Sequence, residues 1–226
     1  DHLDLNSFPT RRSSDLTLEE LIFNEAYDAF LGDAEEISYK VFAYLDEKTE
    51  KSIDILTGFD TPCVGSNSYA TLGLSNLVAK LEANGKPLTV ELVSACDFSN
   101  DLFPIIVSTC AFQIMDGTQC YRPGAVITDV VSMYYPEFDM KHMLMAYPFL
   151  WDGALHTLTG KQKNVAWLQM IPVSEKEYQY ILKHGYDALE DLFEKEQIDV
   201  LDSERSEEHT SELKSPTKLV CRLLLE

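Results

Sequence analysis

The sequence predicts an α+β fold, a mixed and mostly antiparallel sheet packed with helices in one domain. Three observations lead there. Short segments rich in aromatic and branched residues interleave with segments of helical spacing. One segment, Leu102 to Met115, is apolar almost all round, which places a helix under a sheet rather than on a surface. Clusters of Gly, Pro, Asn and Asp punctuate the intervals between elements.

Taken in order, Leu18, Leu21, Ile22, Ala26, Ala29 and Phe30 recur at helical spacing, and Gly32 supplies a stop. Val41 to Leu45 and Ile53 to Phe59 read as strands joined by the charged turn Asp46 to Lys51. Asp60 to Asn67, with Pro62 and Gly65, is a loop. Tyr69 to Leu74 is a strand followed by a helical or irregular stretch, and Asn84-Gly85-Lys86-Pro87 is a turn. Leu88, Val90, Leu92 and Cys96 then share one strand face at period two. Pro104 fits the first turn of the apolar helix, where amide hydrogens lack partners anyway. Val126 to Met133, Met143 to Tyr147 and Val165 to Ile171 read as three further strands. Ser174-Glu175-Lys176-Glu177 is a capping box that opens a helix through Tyr178, Ile181 and Leu182. After Gly185, Leu189, Leu192 and Phe193 mark a last amphipathic helix.

The two ends read differently. Phe8 to Leu16 resembles a translated sequencing-library adaptor, and Arg205 to Glu226 resembles the opposite adaptor. Residues 1–16 and 205–226 are therefore expected to be artefactual and not to pack, leaving 17–204 as the domain. His209 and Cys221 are accordingly not read as a site.

The whole chain carries 18 Lys+Arg against 38 Asp+Glu, a formal net charge of −20. Between residues 17 and 204 Arg122 is the single arginine, so the acidity belongs to the domain. Such a balance opposes binding to nucleic-acid phosphates and suits a basic protein partner. No span of about twenty apolar residues points to a membrane. Cys63, Cys96, Cys110 and Cys120 form no Cys-x-x-Cys pair, which fits buried thiols in the cytoplasm.

Catalytic chemistry finds little support. A small Cys/His hydrolase would draw on Cys96-Asp97 with His142 or His156, yet Cys96 falls on an apolar strand face. Asp139-x-x-His142 would offer two metal ligands if helical, but a third is not evident. There is no Gly-x-Gly-x-x-Gly, Walker loop or paired His-Glu helix motif, and no cofactor is expected. The aromatic group Tyr134, Tyr135, Phe138, Tyr147, Phe149, Trp151 and Trp167 is more suggestive of an interface. Trp167 sits inside an apolar strand and reads as core, whereas Tyr134 and Tyr135, beside Pro136, read as contact residues.

Ser68-Tyr69-Ala70-Thr71-Leu72-Gly73-Leu74-Ser75-Asn76 resembles the Gly-Leu-Ser-Asp segment of Suppressor of fused domains. Leu88 to Leu92 is similar to that family's next strand, and Thr128 to Met133, His142-Met143-Leu144 and Val165 to Pro172 follow in the family's order. The resemblance spans most of Tyr69 to Asp202, and in length it is to the bacterial single-domain members. It implies a non-enzymatic domain that binds a protein, an antitoxin or immunity protein against a toxin, possible targets including a basic nuclease. A general interaction scaffold shares these features. It also implies that Asp129 contacts the partner. Glu190, Asp191 and Glu194, with Glu196 and Asp199, would steer a basic partner, or simply form a solvated helix face.

Overall fold

The computed structural model describes residues 16–46, 48, 50–77, 79–97, 102–202 and 205. The first helix, α1 (Leu18–Leu31), opens on a capping box in which Thr17 and Glu20 satisfy each other's backbone N–H groups, and Gly32 closes it. Then come β1 (Tyr39–Leu45), β2 (Ser52–Phe59) and β3 (Asn67–Leu72), a single 3-10 turn (Leu74–Asn76), β4 (Leu81–Ala83) and β5 (Lys86–Cys96). Asn84 and Gly85, at φ 55° and 74°, make the tight turn between β4 and β5. The buried helix is α2 (Phe103–Met115), followed by β6 (Val126–Ile127), β7 (Met140–Ala146), β8 (Leu158–Thr159) and β9 (Asn164–Ser174). Ser174 caps α3 (Glu175–His184), and α4 (Tyr186–Glu196) ends the described elements.

Among the described residues nine strands join one sheet, ordered β1-β2-β3-β5-β9-β7-β6, with β4 added to β5 and β8 to β9. Only β5 and β9 run parallel, so the sheet is mixed and mostly antiparallel, as the sequence predicts. Alternation along β9 separates the two faces. Ala166, Leu168 and Met170 point toward α2 with Ile53, Ile55, Leu92 and Met143. Val165 and Trp167 point the other way toward α1, and Ile171 and Val173 toward α3 and α4. Helices therefore cover both faces. Trp167 and Cys96 are core residues, as expected.

Two expectations are corrected. The predicted strand Val126 to Met133 is a strand only at Val126–Ile127, and the chain then turns through Tyr134. Asp129 adopts φ 59°, and the N–H groups of Val131 and Ser132 both go to the Lys141 carbonyl instead of a ladder. Val130 and Val131 are branched because they fill the core below, not because they extend a strand. Met140 to Ala146 is β7, so the helix face on which Asp139 and His142 would have stood together does not form. Second, the adaptor-like reading puts Arg205 in an unpacked tail. That residue is 4% exposed, and its guanidinium donates to the Pro172 carbonyl (2.5 Å) and pairs with Glu177 (3.3 Å). The remaining adaptor-like stretches, 1–15 and 206–226, lie outside the described residues.

Candidate protein-binding surface and its support

Two of the quoted sequence motifs are tied together by one buried carboxylate. Where β3 leaves β5, the Thr71 hydroxyl accepts the Leu92 N–H (2.8 Å) in place of a backbone carbonyl and donates to Glu91 (2.5 Å). Glu91 also accepts the N–H groups of Gly73 (3.0 Å), Leu74 (3.1 Å) and Ser75 (2.9 Å). Gly73 makes this possible, since its φ of 111° is open only to glycine without strain. Burial pushes the Glu91 carboxyl above the usual carboxylate range, while Thr71 and the loop N–H groups pull it back. Lys163 closes the other side, its ammonium donating to the Ser75 carbonyl and to Asn76 (3.1 Å). Burial lowers the Lys163 pKa against the pull of Glu91. This network is structural. Sequence reading passed over Glu91, although a lone acid between Val90 and Leu92, in the strand after a Gly-Leu-Ser turn, was a legible signal.

The β6 edge of the sheet carries the exposed candidates. His142, buried on β7, accepts the Asp129 N–H through Nδ1 (2.8 Å), so its proton sits on Nε2 and is donated to Glu175 (2.9 Å). That bond holds Asp129 in its left-handed conformation with the carboxylate exposed. Hydrogen bonds from Gln179 and then His142 hold the Glu175 carboxyl below its usual range. At the other end of β6, Gly124 donates to the Met145 carbonyl (2.8 Å), and Tyr186 of α4 packs on it. The Tyr186 hydroxyl donates to Glu190 and receives the Tyr147 N–H (3.4 Å).

The structure thus brings Asp129 and Glu190 to opposite ends of β6, with Tyr147 exposed between α4 and the edge. Asp191 and Glu194 are exposed further along α4. Tyr134 and Tyr135 are not part of this surface. Tyr135 is 3% exposed and stacks on Phe138 (4.8 Å), and the Tyr134 hydroxyl bonds Thr109 of α2 (2.6 Å). The 128–134 turns bury the Tyr135 ring and leave Tyr134 partly buried against α2, so both are less exposed than the sequence suggests.

Gly124 has φ 79°, and a Cβ there would lie 2.9 Å from Cβ of Tyr186. Substituting G124A is expected to cost about 2 kcal/mol through backbone strain and overpacking. Urea unfolding will measure it, and a cost below about 0.5 kcal/mol would show that α4 is not seated there.

A mixed sheet with helices on both faces, with Glu91 holding the Gly-Leu-Ser turn, is the frame that carries the motifs resembling Suppressor of fused domains. The family model described as Suppressor of fused protein (SUFU) matches residues 49–206, and the chain belongs to that family. The immunity protein YqcF of Bacillus subtilis (strain 168) is 45% identical over 166 residues, covering 74% of this chain and 86% of that protein. A crystal structure of a SUFU homolog from Neisseria gonorrhoeae FA 1090 superposes with a TM-score of 0.64 at 15% identity, covering 82% of this chain and 95% of that one. A chain of the Sufu-Fu complex crystal structure gives 0.52 at 11% identity, covering 88% and 97%. At such identities the two structures speak for the fold. The family match runs through Arg205, in keeping with that residue's packing. Among the described residues no helix is long and apolar enough to cross a membrane.

Proposed function

We propose that this domain is an immunity protein that works in the cytoplasm, binding a bacterial toxin and blocking it by burying the toxin's working surface. The observation that carries this reading is the 45% identity to a protein named for immunity. The acidity supports a cationic target, a nuclease among the possibilities, because a net charge of −20 speeds encounter with a basic protein. We assign the contact to the β6 edge, with Asp129 as the contact residue at one end and Glu190, Asp191 and Glu194 steering from the other. Tyr134 and Tyr135 then brace the Asp129 turn from beneath. Cys96 is fully buried and His142 has both ring nitrogens engaged, which supports binding over hydrolysis.

The test is co-expression with a toxin encoded beside the gene for this chain, together with direct binding measurements. Wild type is expected to bind and to restore growth. D129N keeps a residue tolerant of positive φ while removing the charge. It is expected to weaken binding at least tenfold with the melting profile unchanged. D191N and E194Q are expected mainly to slow association at low salt. A wild-type domain that neither binds nor protects sinks the reading.

A further inference from the structure

The opposite edge of the sheet offers a second surface. Strand β1 ends the sheet order and, among the described residues, has β2 as its one strand partner. Two bonds fix which of its backbone groups are used. The Phe59 N–H goes to the Ser38 carbonyl (2.9 Å), and the Asp46 N–H goes to the Lys51 carbonyl (3.0 Å). The register between them is unbroken, from Tyr39↔Gly58 to Leu45↔Ser52. In an antiparallel pair the bonded residues alternate, so the even positions from Ser38 to Asp46 face β2. Tyr39, Val41, Ala43 and Leu45 therefore direct their N–H and carbonyl groups to the open side.

Proteins blunt such edges with prolines, bulges, charges or covering segments. The strand β1 has no proline or bulge. Its one charge is Lys40, whose ammonium lies over the Phe59 ring (5.4 Å). Nor do the described residues cover the strand, since Val41, Phe42 and Leu45 are 41%, 53% and 61% exposed. Seven residues of open ladder, about 23 Å long, are left with apolar side chains on both faces.

The surroundings select what fits. Asp33, Glu35 and Glu36 are exposed ahead of the strand, Glu50 is exposed in the turn after it, and Asp54 of β2 is exposed opposite Ala43. Lys40 and Lys48 are the nearby cations besides Lys51, which is paired with Asp116. A second copy pairing antiparallel would lay the Asp33–Glu36 end of one molecule beside the Glu50 end of the other. Two molecules of net charge −20 repel at that contact.

We propose that β1 accepts an extended segment of another protein as an added antiparallel strand, and that the segment is apolar at alternate positions and flanked by lysine or arginine. The incoming strand completes the open ladder, its apolar side chains cover Val41 and Leu45 on one face, and its basic ends meet the acids at both ends of β1. This surface is independent of the β6 edge and of the immunity reading.

The probe is a synthetic peptide, acetyl-Lys-Lys-Thr-Val-Thr-Val-Thr-Lys-Lys-amide, titrated into the 15N-labelled full chain. Expected are shifts and new exchange protection at the amides of Tyr39, Val41, Ala43 and Leu45, and little change in protection at Lys40, Phe42 and Tyr44. A glutamate-flanked counterpart is expected to bind at least tenfold more weakly, and salt to weaken the lysine peptide. Val41→Pro removes an outward N–H, a position where an edge strand tolerates proline, and is expected to reduce binding at least tenfold. Should that variant misfold, Val41→Lys is expected to do the same by charge. Equal binding of both peptides, protection elsewhere, or no shift at millimolar peptide overturns the proposal. Concentration-dependent protection of the four amides without peptide also overturns it, in favour of a second copy.

Discussion

Replacing Glu91 with alanine is expected to destabilise the domain by about 4 kcal/mol, a large part of the 5–15 kcal/mol that holds a typical domain together. The substitution leaves the N–H groups of Leu74 and Ser75 with no acceptor in a buried site, and that of Gly73 in a half-buried one. Each such orphan costs about 1–3 kcal/mol. The Thr71 hydroxyl also loses its acceptor, which loosens the substitute bond to Leu92 at the point where β3 leaves β5. E91Q keeps the volume, but its amide group turns donors against donors, so roughly half of that cost is expected. Urea unfolding of the three proteins checks both values, and a loss below about 1 kcal/mol for E91A would mean that the loop finds other partners.

The same residue sets a sign for pH. Because burial raises the folded carboxyl above its unfolded value, the folded state takes up the proton first as pH falls. Its contribution to stability is full below the unfolded value and is lost as pH rises through the folded one. E91Q is expected to lack that part of the slope. A buried carboxylate can thus be costly to ionise and still costly to remove, because its donors have no other acceptor.

Substituting Arg205 is the second large effect. R205A strands the Glu177 carboxylate, itself buried, with the Ser174 N–H (2.7 Å) as its remaining partner among the described residues. It also frees the Pro172 carbonyl and removes a cation from above the Phe193 ring (5.8 Å). A loss of about 3 kcal/mol is expected, roughly 10 °C in Tm. R205A/E177Q is expected to recover much of it, since the stranded charge is then gone. Truncation after Glu204 should match R205A if Arg205 belongs to the domain. If that truncation melts like wild type, the domain boundary stands at Glu204, as the adaptor-like sequence implies.

Period and turn chemistry carried much of the fold. The capping box at Ser174, the stop at Gly32, the Asn84-Gly85 turn and the one-sided strand through Leu88 and Cys96 are local patterns with local causes. Local pattern also misled. Val130-Val131 looks like strand because branched residues suit strands and cores alike, and only the ring of His142, thirteen residues away, takes the Asp129 N–H out of the ladder. Tyr134 and Tyr135 follow from the same turn. Their position beside Pro136 suggests exposure, yet the chain direction after Asp129 aims both rings at the core.

By itself, the sequence determined the fold class, the acidity of the domain and the family motifs, because composition, period and turn residues act over a few positions. Tertiary structure alone decided which side chains became supports and which stayed exposed. Glu91, His142 and Arg205 take their roles from partners brought close only by folding: Glu91 by the turn 16 to 18 residues before it, His142 by Glu175 33 residues on, and Arg205 by Pro172 33 residues back. The exposed edge of β1 has the same origin. Its residues read as an ordinary strand, and whether a strand lies inside a sheet or at its border depends on pairing across the whole chain.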